Sequence, residues 1–179
     1  MELIKRILLF IMVMGVIAFC CNLLLTGNYI IERSVIIDEP VQNIYPLVAN
    51  FQNWEKWYPW KEMDTDIILS YQGTMSEPGA KMAWEGPKGQ KGYLTLSQKG
   101  SDKFILSDLK LVSPKEINQT DEWDFYRIRS STKVTWRRKG KVSFFSRLWL
   151  AFHNPNKFQA AHIELALSNL KKWCETKIQ

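Results

Sequence analysis

The hydrophobic pattern of this chain changes character three times. After Lys5 and Arg6, the run Ile7 to Leu25 carries no charge and only Asn22 as a strongly polar side chain. At about 1.5 Å per residue a helix over this run is roughly 28 Å long, close to the hydrocarbon thickness of a bilayer. The pattern predicts a transmembrane helix through residues 7–25. It divides the chain into an anchor, 1–28, and a single globular domain, 29–179. A cleaved signal peptide is an alternative, but its apolar stretch is usually only about 7 to 15 residues and ends in small residues. A lipoprotein signal is another, although Phe19 rather than a small residue precedes Cys20. Lys5, Arg6 and the amino terminus precede the helix, whereas Glu32 and Arg33 cancel after it. The positive-inside bias therefore predicts a single-pass protein with a cytoplasmic N-terminus and an extracytoplasmic domain.

Beyond the anchor, Tyr29 to Ile37 is β-branched and partly alternating, as expected of a strand. Asp38 reads as a helix N-cap with Pro40 in the first turn, followed by Val41, Ile44, Tyr45 and Val48 at helical spacing. Asn53 reads as the cap of a second short helix that Pro59 ends. The period then becomes two in six stretches: 66–71, 81–85, 93–98, 103–112, 122–129 and 132–138. Gly-containing breaks separate several of them, and such short connections favour antiparallel neighbours. From about Asn156 to Lys177 the pattern is helical again, with Ile163, Ala166, Leu167, Leu170, Trp173 and Cys174 on one face. One strand, two short helices, six strands and a long helix make an α+β fold, in which the helix covers the apolar face of a curved antiparallel sheet.

Composition sharpens this picture at two points. The chain has 46% apolar and 23% charged residues, which excludes a disordered tail or a fibre. Eight Trp, six Tyr and nine Phe supply an excess of large rings for a core or a cavity wall. The formal charge is +6, and the densest basic run, Arg137 to Lys141, reads as a solvated hairpin turn. Nothing in the chain carries the spacing of a nucleic-acid-binding motif, so nucleic acid is not an expected partner. Cys20 and Cys21 lie in the apolar run and Cys174 stands alone in the domain, leaving no disulfide within the domain.

The ordered set of motifs resembles the START-like (SRPBCC) superfamily, particularly its polyketide cyclase/dehydrase-like branch. It comprises Ile37-Asp38-Glu39-Pro40-Val41 entering a helix, Trp54, Trp57-Tyr58-Pro59-Trp60 and Asp64. Tyr71-Gln72-Gly73, Gly79, Trp84-Glu85-Gly86 and Lys91-Gly92-Tyr93-Leu94 follow, then Thr132 to Trp136, and Leu165 through Leu170-Lys171-Lys172 before Glu175. The resemblance spans about Tyr29 to Ile178. It implies a helix-grip fold, whose sheet wraps the C-terminal helix around an apolar cavity for lipids, sterols, polyketides or other hydrophobic molecules. The candidates in this chain for contact with a ligand in such a cavity are Trp54, Trp57, Trp60, Trp84, His162, Ala166 and Leu170. The superfamily shares no catalytic set, so the resemblance assigns no catalytic residue, and fold alone does not give function.

Few residues offer chemistry. His153 and His162 are the only histidines, and neither sits in a Ser-His-Asp, Cys-His or zinc-binding pattern, so no metal or cofactor is expected. His162, at the edge of the apolar face of the last helix, is the candidate acid/base, while His153 reads as a loop residue. Asp64, Asp66 and Glu85 are the carboxylates closest to aromatic segments, read as solvated groups unless rings desolvate them. Trp54, Trp57 and Trp60 have three readings: core packing, a cavity wall or lid, and contact with the bilayer interface. The leading functional expectation is a membrane-anchored domain that holds a hydrophobic small molecule or lipid internally. The alternatives are a cyclase/dehydratase-like enzyme using a cavity acid/base, and an extracytoplasmic scaffold or partner-binding domain.

Overall fold

A computed structural model of the chain describes residues 2–60, 65–114, 116–144, 147 and 156–177. By contacts the chain separates into two compact units. One comprises Met1–Tyr29 with Lys141–Pro155, the other Ile30–Gly140 with Asn156–Gln179. The sequence reading divides the chain into 1–28 and 29–179, whereas the contacts group Lys141–Pro155 with Met1–Tyr29.

In the first unit, α1 (Glu2–Leu24) is a helix long and apolar enough to cross a membrane, with a mean hydropathy of 2.7 over its most apolar window. Nearly all of its side chains are exposed. Asn22 is an exception, buried near a helix end where the Phe19 ring meets Phe144 at 5.6 Å.

In the second unit, β1 (Asn28–Ile37) leads to α2 (Val41–Ala49) and a 3₁₀ helix (Phe51–Lys56). Strands β2 (Ile68–Gln72), β3 (Lys81–Glu85), β4 (Lys91–Gly100), β5 (Phe104–Ser113), β6 (Ile117–Ile128) and β7 (Ser131–Lys141) follow, then α3 (Asn156–Lys177). The seven strands form one antiparallel sheet in the order β1-β7-β6-β5-β4-β3-β2. Every neighbour in sequence from β2 to β7 is thus a neighbour in space, and only β1 crosses to the far edge. Register shifts in the β4–β5 pair, at Lys91/Gly92 and Leu96/Gln98, are the kind of bulge that bends a strand and increases its twist.

Period-two burial sets the inner face: Leu94 and Leu96 on β4, Ile105 and Leu109 on β5, Trp123 and Phe125 on β6, Val134 and Trp136 on β7. The face of α3 made by Ala160, Ile163, Ala166, Leu167, Leu170 and Cys174 is buried. Three contacts align α3 with β1 in the same direction: Arg33 with Glu164, Lys171 Nζ donating to the Ile36 carbonyl at 2.8 Å, and the Asp38 N–H donating to Glu175 at 2.9 Å.

Local starts and stops differ from the expectation in two places. Pro40 rather than Asp38 occupies the cap position of α2 and makes no side-chain cap. Asp38 is engaged instead as the acceptor of the Ser131 hydroxyl at 2.9 Å. The second short helix begins before Asn53, because the Asn50 side chain accepts the Gln52 N–H at 3.0 Å and caps it there.

Candidate functional site

Between the sheet and the helix lies a cluster of rings. Trp54, on the 3₁₀ helix, is within 4.9 Å of Trp57, 5.2 Å of Tyr58, 5.8 Å of Trp123 and 6.0 Å of Trp136, measured between ring centres. Trp123 and Trp136 are direct cross-strand partners, stacked at 4.1 Å. Indole N–H groups anchor the segment: Trp54 donates to the Val48 carbonyl at 2.9 Å and Trp57 to the Leu47 carbonyl at 3.1 Å. Trp54, Trp57, Trp60, Trp84, Ala166 and Leu170, all expected around a cavity, are buried.

One row along the sheet from the Trp123–Trp136 pair, the inner face turns polar. Ser107, Asp121 and Arg138 stand opposite one another on β5, β6 and β7, and all three are buried. Arg138 Nε and Nη2 each donate to Asp121 at 2.7 Å, a two-pronged pair. Arg138 also hydrogen-bonds the Tyr58 hydroxyl, which lies 2.9 Å from His162 Nε2. A guanidinium is only a donor, so the Tyr58 oxygen accepts from it, while the direction of the Tyr58–His162 bond follows the imidazole tautomer. Beside this chain, Gln119 on β6 donates to Gln159 on α3 at 3.1 Å. The run Arg137 to Lys141 was expected in a solvated turn, with Arg138 also the last residue of the expected strand 132–138. The run from Arg137 to Lys141 lies instead in β7, and its alternation turns Arg138 inward while Arg137 pairs outward with Glu32 and Asp124.

Burial, reinforced by the Arg138 charge, pushes His162 down to about 4. Burial pushes the Tyr58 hydroxyl up to about 12, against the opposing pull of Arg138. Near neutral pH both groups are uncharged. A base this weak and an acid this weak sit far from the pKa that suits proton transfer at pH 7, so the pair is built to hydrogen-bond.

Open space lies to the other side of Tyr58. A groove of about 560 Å³ runs between the 3₁₀ helix and the residues after it, the start of β2, and the C-terminal half of α3. Trp57, Tyr58, Trp60, Ile67, Leu69 and Trp173 form apolar walls, and Glu55, Lys56, Asn169 and Lys172 supply polar groups. Of the expected site residues, Trp57 and Trp60 border this groove. Trp54, Trp84, His162, Ala166 and Leu170 do not line it. Asp66 is exposed, and Glu85 is an exposed partner of Lys91 at 2.6 Å. Asp64 and His153 lie outside the described residues. Among the described residues no three His, Cys, Asp or Glu side chains gather as a metal site requires.

Sequence reasoning missed Asp121, Ser107, Ile67, Leu69, Trp173 and the role of Tyr58. The signal for the polar row was present: Gln119, Asp121, Trp123 and Phe125 alternate in one register, and so do Val134, Trp136 and Arg138. A charge on each strand therefore shares the face of its tryptophan.

The chain matches no family model and no curated protein. It does match solved structures. A protein from Nitrosospira multiformis aligns with a TM-score of 0.61 at 16% identity, over 84% of this chain and 99% of that one. A Chromobacterium violaceum protein aligns at 0.60 and 12% identity, over 83% and 98%. The Aha1 dimer from Colwellia psychrerythraea gives 0.59 and 10%, over 83% and 97%. The chain has the helix-grip fold. DynU16, from the dynemicin biosynthetic locus, shares it at a TM-score of 0.58 and 13% identity, with this chain covering 47% of its length. At these identities the helix-grip likeness extends to fold alone.

Proposed function

We propose that this chain is a membrane-tethered helix-grip domain of the START-like superfamily, close to its polyketide cyclase/dehydrase-like branch, that binds a hydrophobic small molecule or lipid. The observation that carries the reading is the groove of about 560 Å³ walled by Trp57, Trp60, Ile67, Leu69 and Trp173. Its size fits a small-molecule site, and its wall combines those apolar side chains with polar groups from Glu55, Lys56, Thr65, Asn169, Lys172 and Thr176. We place the ligand there rather than among the rings between sheet and helix, where Trp54, Trp123 and Trp136 are essentially inaccessible. The apolar run 7–25, nearly all of it in α1, would hold the domain at a bilayer, with the domain on the extracytoplasmic side.

The ring-packed interior also favours a second reading, a scaffold that binds a partner protein and no ligand. One experiment separates the two. The full chain is purified in lipid nanodiscs and examined by native mass spectrometry for a retained apolar molecule, with a fluorescent apolar dye as displacement probe. The binding reading expects saturable dye uptake that Leu69→Lys, in the groove wall, abolishes without unfolding the domain. Absence of any retained molecule together with non-saturable dye uptake leaves only the scaffold.

A further inference from the structure

The groove carries a charge and hydrogen-bonding pattern that narrows what it takes. Among the described residues two cations and one carboxylate line it: Lys56, Lys172 and Glu55. Glu55 is occupied as the acceptor of the Tyr71 hydroxyl at 2.6 Å. Lys56 donates to the neutral Asn53 side chain at 2.7 Å and pairs with no carboxylate among the described residues. Lys172 is exposed and has no partner among the described residues. The second observation is independent of charge. Trp60 is 8% exposed, and its indole N–H is fully buried with no hydrogen-bond acceptor. A buried donor without an acceptor costs roughly 1 to 3 kcal/mol, and this one belongs to a residue that forms the groove wall.

We propose that the groove binds an anionic amphiphile, its apolar body against Trp60, Leu69 and Trp173, its carboxylate or phosphate oxygens at Lys172 and Lys56. This rests on the groove being the ligand site. Two ammoniums against the one carboxylate of Glu55 leave the described lining with a net positive charge, which favours a negative headgroup over a neutral one, because charge-assisted hydrogen bonds are roughly twice as strong as neutral ones. The same chemistry is offered by a free fatty acid and by an anionic lipid headgroup.

The test uses the full chain in phosphatidylcholine nanodiscs and bromine quenching of tryptophan fluorescence. No tryptophan lies in residues 1–28, so quenching reports the rest of the chain. The probes are dibromostearate and its methyl ester, identical except for the charge. The expected result is half-saturation by the acid at roughly tenfold lower concentration than by the ester. Lys172→Glu, a surface change that leaves the circular dichroism spectrum unaltered, should remove that preference while ester binding persists. A second arm replaces part of the disc lipid with brominated phosphatidic acid or brominated phosphatidylcholine. Selective quenching by phosphatidic acid, lost in Lys172→Glu, identifies a lipid headgroup; selectivity confined to the free acid identifies a soluble ligand; either supports the proposal. Equal binding of acid and ester, or a preference that survives Lys172→Glu, overturns it while leaving an apolar groove intact. Quenching by neither acid nor ester overturns the groove as a binding site as well.

Discussion

Asp121 and Arg138 face each other across β6 and β7, joined by two hydrogen bonds of 2.7 Å, with the carboxylate wholly buried and the guanidinium nearly so. Two charges taken out of water cost several kcal/mol each, and their mutual attraction recovers this only while both are present. Asp121→Ala should therefore lower the unfolding free energy by about 3 to 5 kcal/mol, leaving Arg138 buried and unpaired. The double change Asp121→Leu with Arg138→Met replaces the pair by apolar volume. It should return stability to within about 1 kcal/mol of the original or above it. Denaturant titration of the three proteins checks this. A mild effect of Asp121→Ala would mean that water reaches the pair.

His162 gives the domain a pH dependence of definite sign. The folded imidazole titrates at about 4, below the ordinary 6.5 of an exposed histidine. The unfolded chain therefore binds a proton in the window between those values while the folded one does not, and stability falls as pH drops through it. The full effect corresponds to roughly 3 kcal/mol, and it is absent above about pH 7. His162→Gln should flatten the slope of stability against pH between about 4 and 6.5. Urea unfolding of both proteins across that range measures the difference, and parallel slopes would refute the assigned burial of the ring.

The period-two signal made the strands and their order legible, because each loop in the β2-to-β7 run is short and each strand buries one face. Arg138 was still misassigned, since a basic run with a glycine suggests a turn, and only pairing with Asp121 from another strand makes an inward arginine tolerable. The groove was harder to see. Trp57 and Trp60 announce rings, but Ile67, Leu69 and Trp173 meet them only through tertiary contact, far apart in sequence. The helix start was displaced because Asp38 has a stronger use, bridging Ser131 and the β1 end, than capping α2.

Gly92 lies opposite Trp84 on β4 and β3, and a methyl group added to it would sit 2.4 Å from the Trp84 ring and 3.0 Å from the Lys110 carbonyl. The indole covers the bare backbone of the glycine, so this position has room for hydrogen alone. Gly92→Ala should force Trp84 aside at a cost of about 1 to 3 kcal/mol. Trp84 in turn touches Trp60 at 5.9 Å, so the displacement reaches the groove wall. The variant should lose affinity for the groove probe along with stability. Unchanged thermal unfolding would show that the ring rotates away freely.

One substitution made at two tryptophans should have different outcomes. The Trp54 N–H donates to the Val48 carbonyl at 2.9 Å in a buried setting, tying the 3₁₀ helix to α2. Trp54→Phe removes the donor and leaves that carbonyl unsatisfied, which costs about 1 to 3 kcal/mol beyond the lost ring area. The Trp60 N–H is equally buried but has no acceptor. Trp60→Phe therefore removes a polar group already unsatisfied, and offsets its own loss of apolar area. With ring size changed identically, Trp54→Phe should be less stable than Trp60→Phe by at least about 1 kcal/mol in the ligand-free protein. Saturating the groove with its anionic ligand should narrow that difference. If the ligand accepts the Trp60 N–H, Trp60→Phe loses part of the ligand-induced stabilisation while Trp54→Phe retains it. Thermal melts of both variants with and without ligand decide this, and equal ligand-induced shifts would show that the Trp60 donor takes no part in binding.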